Sequence, residues 1–188
     1  MVLQSLCSLL LLRNSGEDEA SHETLKGKKV TGVELTKSAD CVFCRVSLEN
    51  GFDVVWEDGD FTVFRDYNPS AVHHLQVIPK KHIESVKVLQ KSDVELVKTM
   101  GEIGHRILDS LDVPISLRRL GFHIPPYNSI GHLHLHVQAL PYKSTARKWK
   151  YPVAAGRRIH SKGFSWFVTC EQTINILDRG GRVNVFPC

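Results

Sequence analysis

The chain has 188 residues, of which 42% are hydrophobic and 23% charged, so it is long enough to bury the core of one ordinary globular domain. Its 24 Lys and Arg residues against 20 Asp and Glu residues give a net charge of +4, which suits an anionic small ligand and is too weak to indicate a nucleic-acid groove. Five dispersed cysteines argue against a disulfide framework and indicate a reducing compartment. We therefore expect a cytoplasmic protein, with the nucleus as a second location, and no nucleic-acid partner.

Residues 1–38 are predicted to be a loosely ordered leader, residues 39–178 the domain and residues 179–188 a C-terminal tail. The apolar run Val2–Leu12 is too short to span a membrane, which needs about 20 apolar residues. A signal peptide is a weaker interpretation, because no basic segment precedes the run and the cleavage region fits poorly. No membrane association is expected.

The first feature with specific chemistry is the pair Cys41 and Cys44, spaced as Cys-x-x-Cys. Such a pair can ligate zinc if two further ligands arrive from elsewhere, or it can act as a redox pair. Two small buried hydrophobic residues are the alternative interpretation. Because the sequence has no second Cys-x-x-Cys, the missing zinc ligands would have to be histidines.

Alternating and β-favouring residues predict strands over Phe61–Asp66, His74–Ile78, Leu117–His123 and Gly163–Thr169, in addition to the histidine-rich strand described below. A helix from about Asp93 to Ser110 is predicted by a capping box at Ser92 and Glu95 and by an apolar stripe, which consists of Leu96, Met100, Ile103, Ile107 and Leu111. A short terminal helix is predicted over Glu171–Leu177.

A basic segment, Lys143–Arg158, contains Trp149 and Tyr151. Basic residues interleaved with aromatic ones can contact nucleic acid, but a segment this short is more often a solvated, flexible loop. We predict the loop.

The stretch Gly131–Val137 alternates histidine with apolar residues. In an extended strand His132, His134 and His136 would share one face, while Leu133, Leu135 and Val137 would pack behind them. A neutral imidazole is a competent nucleophile toward activated phosphorus. The middle histidine, His134, is the best candidate nucleophile, with His136 placed for phosphoryl oxygens and Ser129 for a hydrogen bond near the leaving atom.

Other interpretations of the same stretch are a solvated polar strand face, a metal-scavenging histidine tract and metal-assisted hydrolysis. Ligating nitrogens on one zinc ion lie about 3.3 Å apart, whereas residues i and i+4 of a strand are roughly 13 Å apart. Two adjacent histidines could therefore share an ion, but not all three. One of them could instead join the Cys-x-x-Cys pair.

The run His132–Val137, preceded by Ser129, resembles the signature of the histidine triad family, and Val77–Ile83 is similar to a second block of that family. The resemblance extends from about Cys41 to Val168. It implies an α+β fold with a five-stranded antiparallel sheet and a long helix packed on it, in a homodimer or a higher homo-oligomer. It also implies hydrolysis or transfer at the α-phosphate of purine nucleotides, notably adenosine phosphoramidates and acyl-adenylates. A nucleotide-binding adaptor with incidental hydrolysis is the second hypothesis.

By position in these motifs, the resemblance implies a catalytic set, a nucleotide-binding set and a metal set. The catalytic set is His134, His136, His132, His74 and Ser129, and the nucleotide-binding set is Asp66, Tyr67, His123, Tyr127, Asn128, Ser129, His134 and His136. The metal set of zinc-containing members is Cys41, Cys44, His82 and His132, where zinc would be structural and not required for chemistry. One departure is that the loop before the triad is Pro-rich and shorter than in the best-known members, which places His123 about where they have an asparagine.

Overall fold

The computed structural model describes residues 40–188, and the predicted leader lies outside them. These residues form an α+β fold, as expected, of six strands and three α-helices: β1 (Val54–Glu57), β2 (Phe61–Arg65), β3 (His74–Pro79), α1 (Val94–Asp109), β4 (Arg118–His123), β5 (Leu135–Ala139), α2 (Thr145–Lys148), β6 (Phe167–Thr169) and α3 (Cys170–Asp178). Within this part of the chain no helix is both long and apolar enough to cross a bilayer.

All six strands join one sheet in the order β1-β2-β3-β5-β4-β6, and every neighbouring pair is antiparallel. The expectation of five strands was wrong by one, because the sequence pattern predicted no strand before Phe61 and the structure has β1 there. Asp58 makes the difference: its carboxylate accepts hydrogen bonds from the backbone N–H groups of Asp60 and Phe61, at 2.8 and 2.7 Å. This tight turn folds β1 back onto β2 as a hairpin.

The histidine-rich strand is shorter than predicted, since β5 begins only at Leu135. Immediately before β5, the backbone N–H of Leu133 donates to the carbonyl of Ile83 at 2.7 Å, so Leu133 does not pair with a neighbouring strand of the sheet. Leu133, Leu135 and Val137 are buried in the main core, as predicted. The chain therefore enters the sheet between His134 and His136, and this entry point separates the histidines.

Helix α1 matches its predicted range within one residue at each end, but its cap and buried face differ. The capping box lies at Gln90 and Asp93, because residues Lys91–Asp93 form a 3-10 turn ahead of the helix. The buried stripe is rotated toward two glycines: a Cβ at Gly101 would meet Cys170 Sγ at 2.9 Å, and one at Gly104 would meet Val137 at 2.8 Å. The helix thus packs closely against α3 at Gly101 and against the sheet at Gly104, which hydrophobic spacing alone does not reveal.

The predicted loop between Lys143 and Arg158 contains helix α2, and its Tyr151 is buried. The C-terminal segment, residues 179–188, is bound to the rest of the domain. The fully buried Lys162 donates from Nζ to the carbonyl of Val185 at 3.0 Å, and Arg182 donates to the carbonyl of Leu89 at 2.9 Å.

Candidate active site and metal cluster

The three triad histidines face three different sets of partners. His132 belongs to a cluster with Cys41, Cys44 and His82, whose possible ligand atoms all lie within 4.8 Å of one another. His136 lies between two further histidines, and His134 lies between these two groups. This arrangement agrees with the possibility that one triad histidine joins the Cys-x-x-Cys pair.

The cluster has the dimensions of a tetrahedral metal site. The Nδ1 of His132 lies 3.4 Å from Cys41 Sγ and 3.6 Å from Cys44 Sγ, and the Nδ1 of His82 lies 3.3 Å from Cys44 Sγ. Around a zinc ion with ordinary Zn–S and Zn–N bonds, sulfur and nitrogen ligands are about 3.6 Å apart. Two thiolates and two imidazoles also form a donor set that zinc prefers. The residues present therefore fit a zinc ion.

The outer nitrogen of His132 supports the same interpretation. Its Nε2 lies 2.9 Å from the carbonyl of Pro79, and a carbonyl can only accept, so Nε2 carries the proton and Nδ1 presents its lone pair to the cysteines. Metal-bound histidines commonly donate their other N–H to a carbonyl in this way. Burial also lowers the pKa of His132, which keeps the ring neutral and able to ligate.

His134 is oriented by the backbone of its own chain. Its Nδ1 lies 2.6 Å from the carbonyl of His132 and must donate to it, which leaves the lone pair on Nε2. The ring of Phe43 packs edge-on against it at 5.5 Å. Burial lowers the pKa of His134 from its ordinary value of 6.5 to about 4, so the imidazole is neutral at pH 7. A neutral ring with a bare Nε2 is the form that attacks phosphorus.

His136 is the centre of a directed chain of hydrogen bonds. The backbone N–H of Ser70 donates to His74 Nδ1 at 3.1 Å, so His74 must carry its proton on Nε2. His74 Nε2 lies 2.9 Å from His136 Nδ1, and His136 Nε2 lies 3.0 Å from His123 Nδ1. The chain ends where His123 Nε2 lies 2.8 Å from the carbonyl of Lys150.

The backbone N–H of Ser70 can only donate and the carbonyl of Lys150 can only accept, so every hydrogen bond in this series is donated in the same direction, from His74 through His136 to His123. His74, His136 and His123 are therefore all neutral and all protonated on Nε2. Burial, the largest cause, lowers the pKa of His74 to about 4 and that of His136 well below its ordinary value, and it also lowers the pKa of His123. His136 thus offers an N–H donor, rather than a lone pair, on the side away from His74.

These rings pack against Tyr151 and Phe167, two residues that the sequence analysis did not assign to the site. The Tyr151 ring centroid lies 5.7 Å from that of His74, 4.9 Å from that of His123 and 5.3 Å from that of Phe167. Gly121 makes room for Phe167, since a Cβ at Gly121 would lie 2.6 Å from its ring. The basic composition around Tyr151 had favoured a solvated loop, so only its aromatic character could have indicated a buried role.

A cleft of about 1090 Å³ opens in front of His134 and His136. Phe43, Phe52, Phe64 and Ile130 form an apolar part of its lining, and Asp66, Tyr67, His123, Tyr127 and Ser129 also line it. Tyr67 is almost fully exposed, and Tyr127 stacks on Trp166 with ring centroids 5.4 Å apart. Asn128 is not part of this lining: its amide donates to the carbonyl of Ile130 at 3.0 Å and holds the loop before the triad.

Gln76 is a site residue that sequence reasoning missed. Its Nε2 donates to Asp66 Oδ2 at 2.8 Å, which fixes the amide, and Asp66 Oδ1 accepts from the backbone N–H of Asn68. The remaining oxygen, Gln76 Oε1, is buried without a hydrogen-bond partner among residues 40–188. The available signal was an amide side chain between the apolar residues Leu75 and Val77 of strand β3.

Three comparisons relate the chain to known proteins. Residues 40–151 match the family model described as "Scavenger mRNA decapping enzyme C-term binding". The chain is 41% identical over 151 residues to adenosine 5'-monophosphoramidase HINT3 of Danio rerio, covering 79% of this chain and 88% of that protein. It is 39% identical over 150 residues to the protein of the same name from Xenopus tropicalis, covering 77% and 93%.

A crystal structure of a HIT family hydrolase from Legionella pneumophila Philadelphia 1 has the same fold. It is 27% identical in sequence, with a TM-score of 0.52, and covers 57% of this chain and 99% of that one.

Proposed function

The chain belongs to the histidine triad family, and from this we propose that it is a nucleotide hydrolase that cleaves adenosine 5'-phosphoramidates and acyl-adenylates at the α-phosphate through a covalent nucleotidyl-His134 intermediate. The observation that carries the proposal is the orientation of His134. Its Nδ1–H is fixed on the His132 carbonyl at 2.6 Å, and its Nε2 lone pair is left for the cleft. The names of the relatives in Danio rerio and Xenopus tropicalis support the substrate class.

The order of groups across the sheet suits a nucleoside monophosphate. Phe64 on β2, Gln76 on β3 and His136 on β5 are paired with one another in register, so they form a row across neighbouring strands about 4.8 Å apart. In our proposal the base packs among the aromatic residues near Phe64. The ribose hydroxyls meet Asp66 and the buried oxygen of Gln76, which otherwise has no partner among the described residues. The α-phosphate then lies at His136.

The first chemical step uses the groups in these places. Nε2 of His134 attacks phosphorus, the P–N or P–O bond to the leaving group breaks, and the leaving group departs with the bonding electrons and takes up a proton from solvent in the cleft. The N–H of His136 donates to a phosphoryl oxygen and stabilises the charge that develops there. Ser129, at the rim of the cleft, donates near the leaving atom. His74 acts behind His136, where its Nε2–H holds the ring in place.

Zinc is proposed as a structural ion at Cys41, Cys44, His82 and His132. It would contribute folding free energy and hold the segment before β5 against the Cys-x-x-Cys turn. No step of the reaction requires it. The homodimer, the cytoplasmic or nuclear location and the domain boundaries at residues 39 and 178 remain predictions from the sequence, and ultracentrifugation of the purified protein tests the first of them.

The test of the proposed function compares His134→Asn with His160→Asn, a change at an exposed histidine outside the site. With adenosine 5'-phosphoramidate as substrate, we expect His134→Asn to abolish turnover while AMP binding, measured by calorimetry, persists. His160→Asn should match the unmodified protein in both assays. Turnover that survives in His134→Asn would contradict the proposal, and AMP affinity without appreciable turnover in the unmodified protein would favour the adaptor.

A further inference from the structure

His123 carries a basic nitrogen that the first step does not use. Because its Nε2–H donates to the carbonyl of Lys150, its Nδ1 holds a lone pair, and in this structure that lone pair accepts from His136 Nε2–H at 3.0 Å. A phosphoryl oxygen that takes the His136 hydrogen bond replaces His123 as its acceptor. Binding of the nucleotide therefore frees a neutral imidazole nitrogen next to the α-phosphate.

The location of this nitrogen suits a reaction with water. Nδ1 of His123 lies 3.0 Å from His136 Nε2, the nitrogen that binds the phosphoryl oxygen in the proposed function, so a water bound at this Nδ1 lies beside the α-phosphate. One ring nitrogen each of His123, His134 and His136 also lie within 4.8 Å of one another. His123 also lines the cleft, where water can reach it. A general base needs hydrogen-bond reach to the proton that it removes, directly or through one water, and His123 meets this requirement.

The Lys150 carbonyl, which binds Nε2 of His123, is itself held in place. The backbone N–H of Lys150 donates to the carbonyl of Arg147 at 3.2 Å, so the Lys150 carbonyl follows the turn at the end of α2. The Arg147 guanidinium in turn donates to Asn68 Oδ1 at 2.6 Å and so binds α2 to the loop that carries Asp66. Catalytic triads of nucleophile, base and acceptor use the same arrangement, in which a fixed acceptor binds the second nitrogen of the base and orients its ring.

The other polar groups at the centre are already engaged. His136 accepts at Nδ1 from His74 and carries its proton on Nε2, so it has no lone pair to offer. Asp66 is assigned to the ribose hydroxyls and lies on the other side of His136: its Oδ2 is 3.4 Å from His74 Nε2, which contacts His136 Nδ1, whereas His123 contacts His136 Nε2. His134 is the group that becomes modified. Among the residues that the structure describes in contact with this centre, His123 is the base that remains.

We infer that His123 is the general base of the second step, in which water resolves the nucleotidyl-His134 intermediate; this inference rests on the proposed function. Nδ1 of His123 removes a proton from water as the water oxygen forms a bond to phosphorus. The bond from phosphorus to His134 Nε2 breaks, and its electron pair returns to that nitrogen. The products are AMP, a neutral His134 and a protonated His123. The Lys150 carbonyl stabilises this imidazolium through Nε2–H, and the proton then passes to solvent through the cleft.

The experiment is rapid-quench kinetics with adenosine 5'-phosphoramidate, with mass spectrometry of the quenched protein. His123→Asn leaves an amide oxygen near the position of Nδ1, which can accept from His136 but is not a base. We expect amine release in the first turnover at a rate close to that of the unmodified protein. Loss of the intermediate should be slower by roughly 100-fold or more, so that AMP accumulates on His134. His123→Phe, which keeps a ring against Tyr151 and Phe167, should show the same accumulation if His123→Asn folds poorly.

Two results would overturn the inference. One is loss of the intermediate from His123→Asn at the unmodified rate, and the other is an equal slowing of both steps, which would indicate that His123 only positions other groups. Failure of the proposed function looks different: no histidine of either protein would carry AMP while turnover continues. Thermal unfolding of each variant checks that a slow step does not reflect a loss of fold.

Discussion

The backbone carbonyl of His132 accepts a hydrogen bond from Nδ1 of His134 at 2.6 Å, while the side chain of the same His132 faces Cys41 and Cys44. One residue therefore belongs to the cysteine–histidine cluster and also orients the proposed nucleophile. A change in the cluster should therefore alter the orientation of His134, although the metal does not contact the nucleotide directly.

Cys44→Ser tests this coupling. We expect loss of bound zinc, a lower melting temperature and slower turnover, because the cluster holds the segment from which the His132 carbonyl projects. For a domain of this size each kcal/mol lost lowers the melting temperature by about 2–4 °C. Cys188→Ser, outside the cluster, is the matched control and should keep its zinc, as measured by plasma emission spectroscopy. An unchanged zinc content and melting temperature in Cys44→Ser would rule out a structural ion. Loss of activity on chelation with no loss of stability would favour a catalytic one.

Stability should fall as the pH falls below neutrality. The folded-state pKa of His74 is about 4, whereas the ordinary value is 6.5, so between these limits the unfolded chain binds more protons than the folded one. The contribution of His74 is therefore complete above pH 6.5 and is lost as the pH decreases toward 4, at up to about 1.4 kcal/mol per pH unit. Urea unfolding from pH 7.5 to 4.5 measures this slope. His74→Gln should reduce the slope and His160→Gln, at an exposed histidine, should not; equal slopes in all three proteins would refute the assignment.

Gly121→Ala should displace Phe167, which packs against the histidines of the site. The added Cβ would meet the carbonyl of Val168 and lie 2.6 Å from the Phe167 ring, so β6 must move away from β4. Phe167 packs against His123 with ring centroids 5.3 Å apart, and we expect both a loss of roughly 1–3 kcal/mol in unfolding free energy and slower turnover. Gly59→Ala is the control, since a Cβ there meets no atom within 4 Å. Denaturant unfolding and steady-state kinetics on the two variants measure the effect.

Gln76→Leu should weaken nucleotide binding at the ribose. The change removes the amide that holds Asp66 and the buried acceptor beside it, so we expect roughly fivefold weaker binding of AMP, equivalent to about one hydrogen bond. Binding of 2',3'-dideoxyadenosine monophosphate, which lacks the hydroxyls, should change little. Calorimetry with both nucleotides decides the matter: an equal loss for the two would place the ribose elsewhere in the cleft.

The sequence by itself determined the features that depend on local pattern. Strict alternation around the triad placed Leu133, Leu135 and Val137 in the core, since side chains of an extended chain point to opposite sides. Helical spacing located α1, and the short terminal helix predicted over Glu171–Leu177 is observed as Cys170–Asp178. The chemistry of imidazole identified His134 as the candidate nucleophile, because that property belongs to the residue and its immediate neighbours.

Only the tertiary structure decided which partners each histidine meets. The chain joins the sheet at Leu135, so His132 turns toward the cysteines while His136 lies beside His74 and His123. Gln76 and Tyr151 entered the site through strand register and the position of α2, which no local pattern encodes. The physical reason is that these contacts join residues far apart in the sequence or depend on the folded backbone. The contact of one imidazole nitrogen decides whether the proton lies on the other nitrogen. At His74 and His123 the deciding groups are the backbone N–H of Ser70 and the backbone carbonyl of Lys150, which reach the rings only in the folded domain.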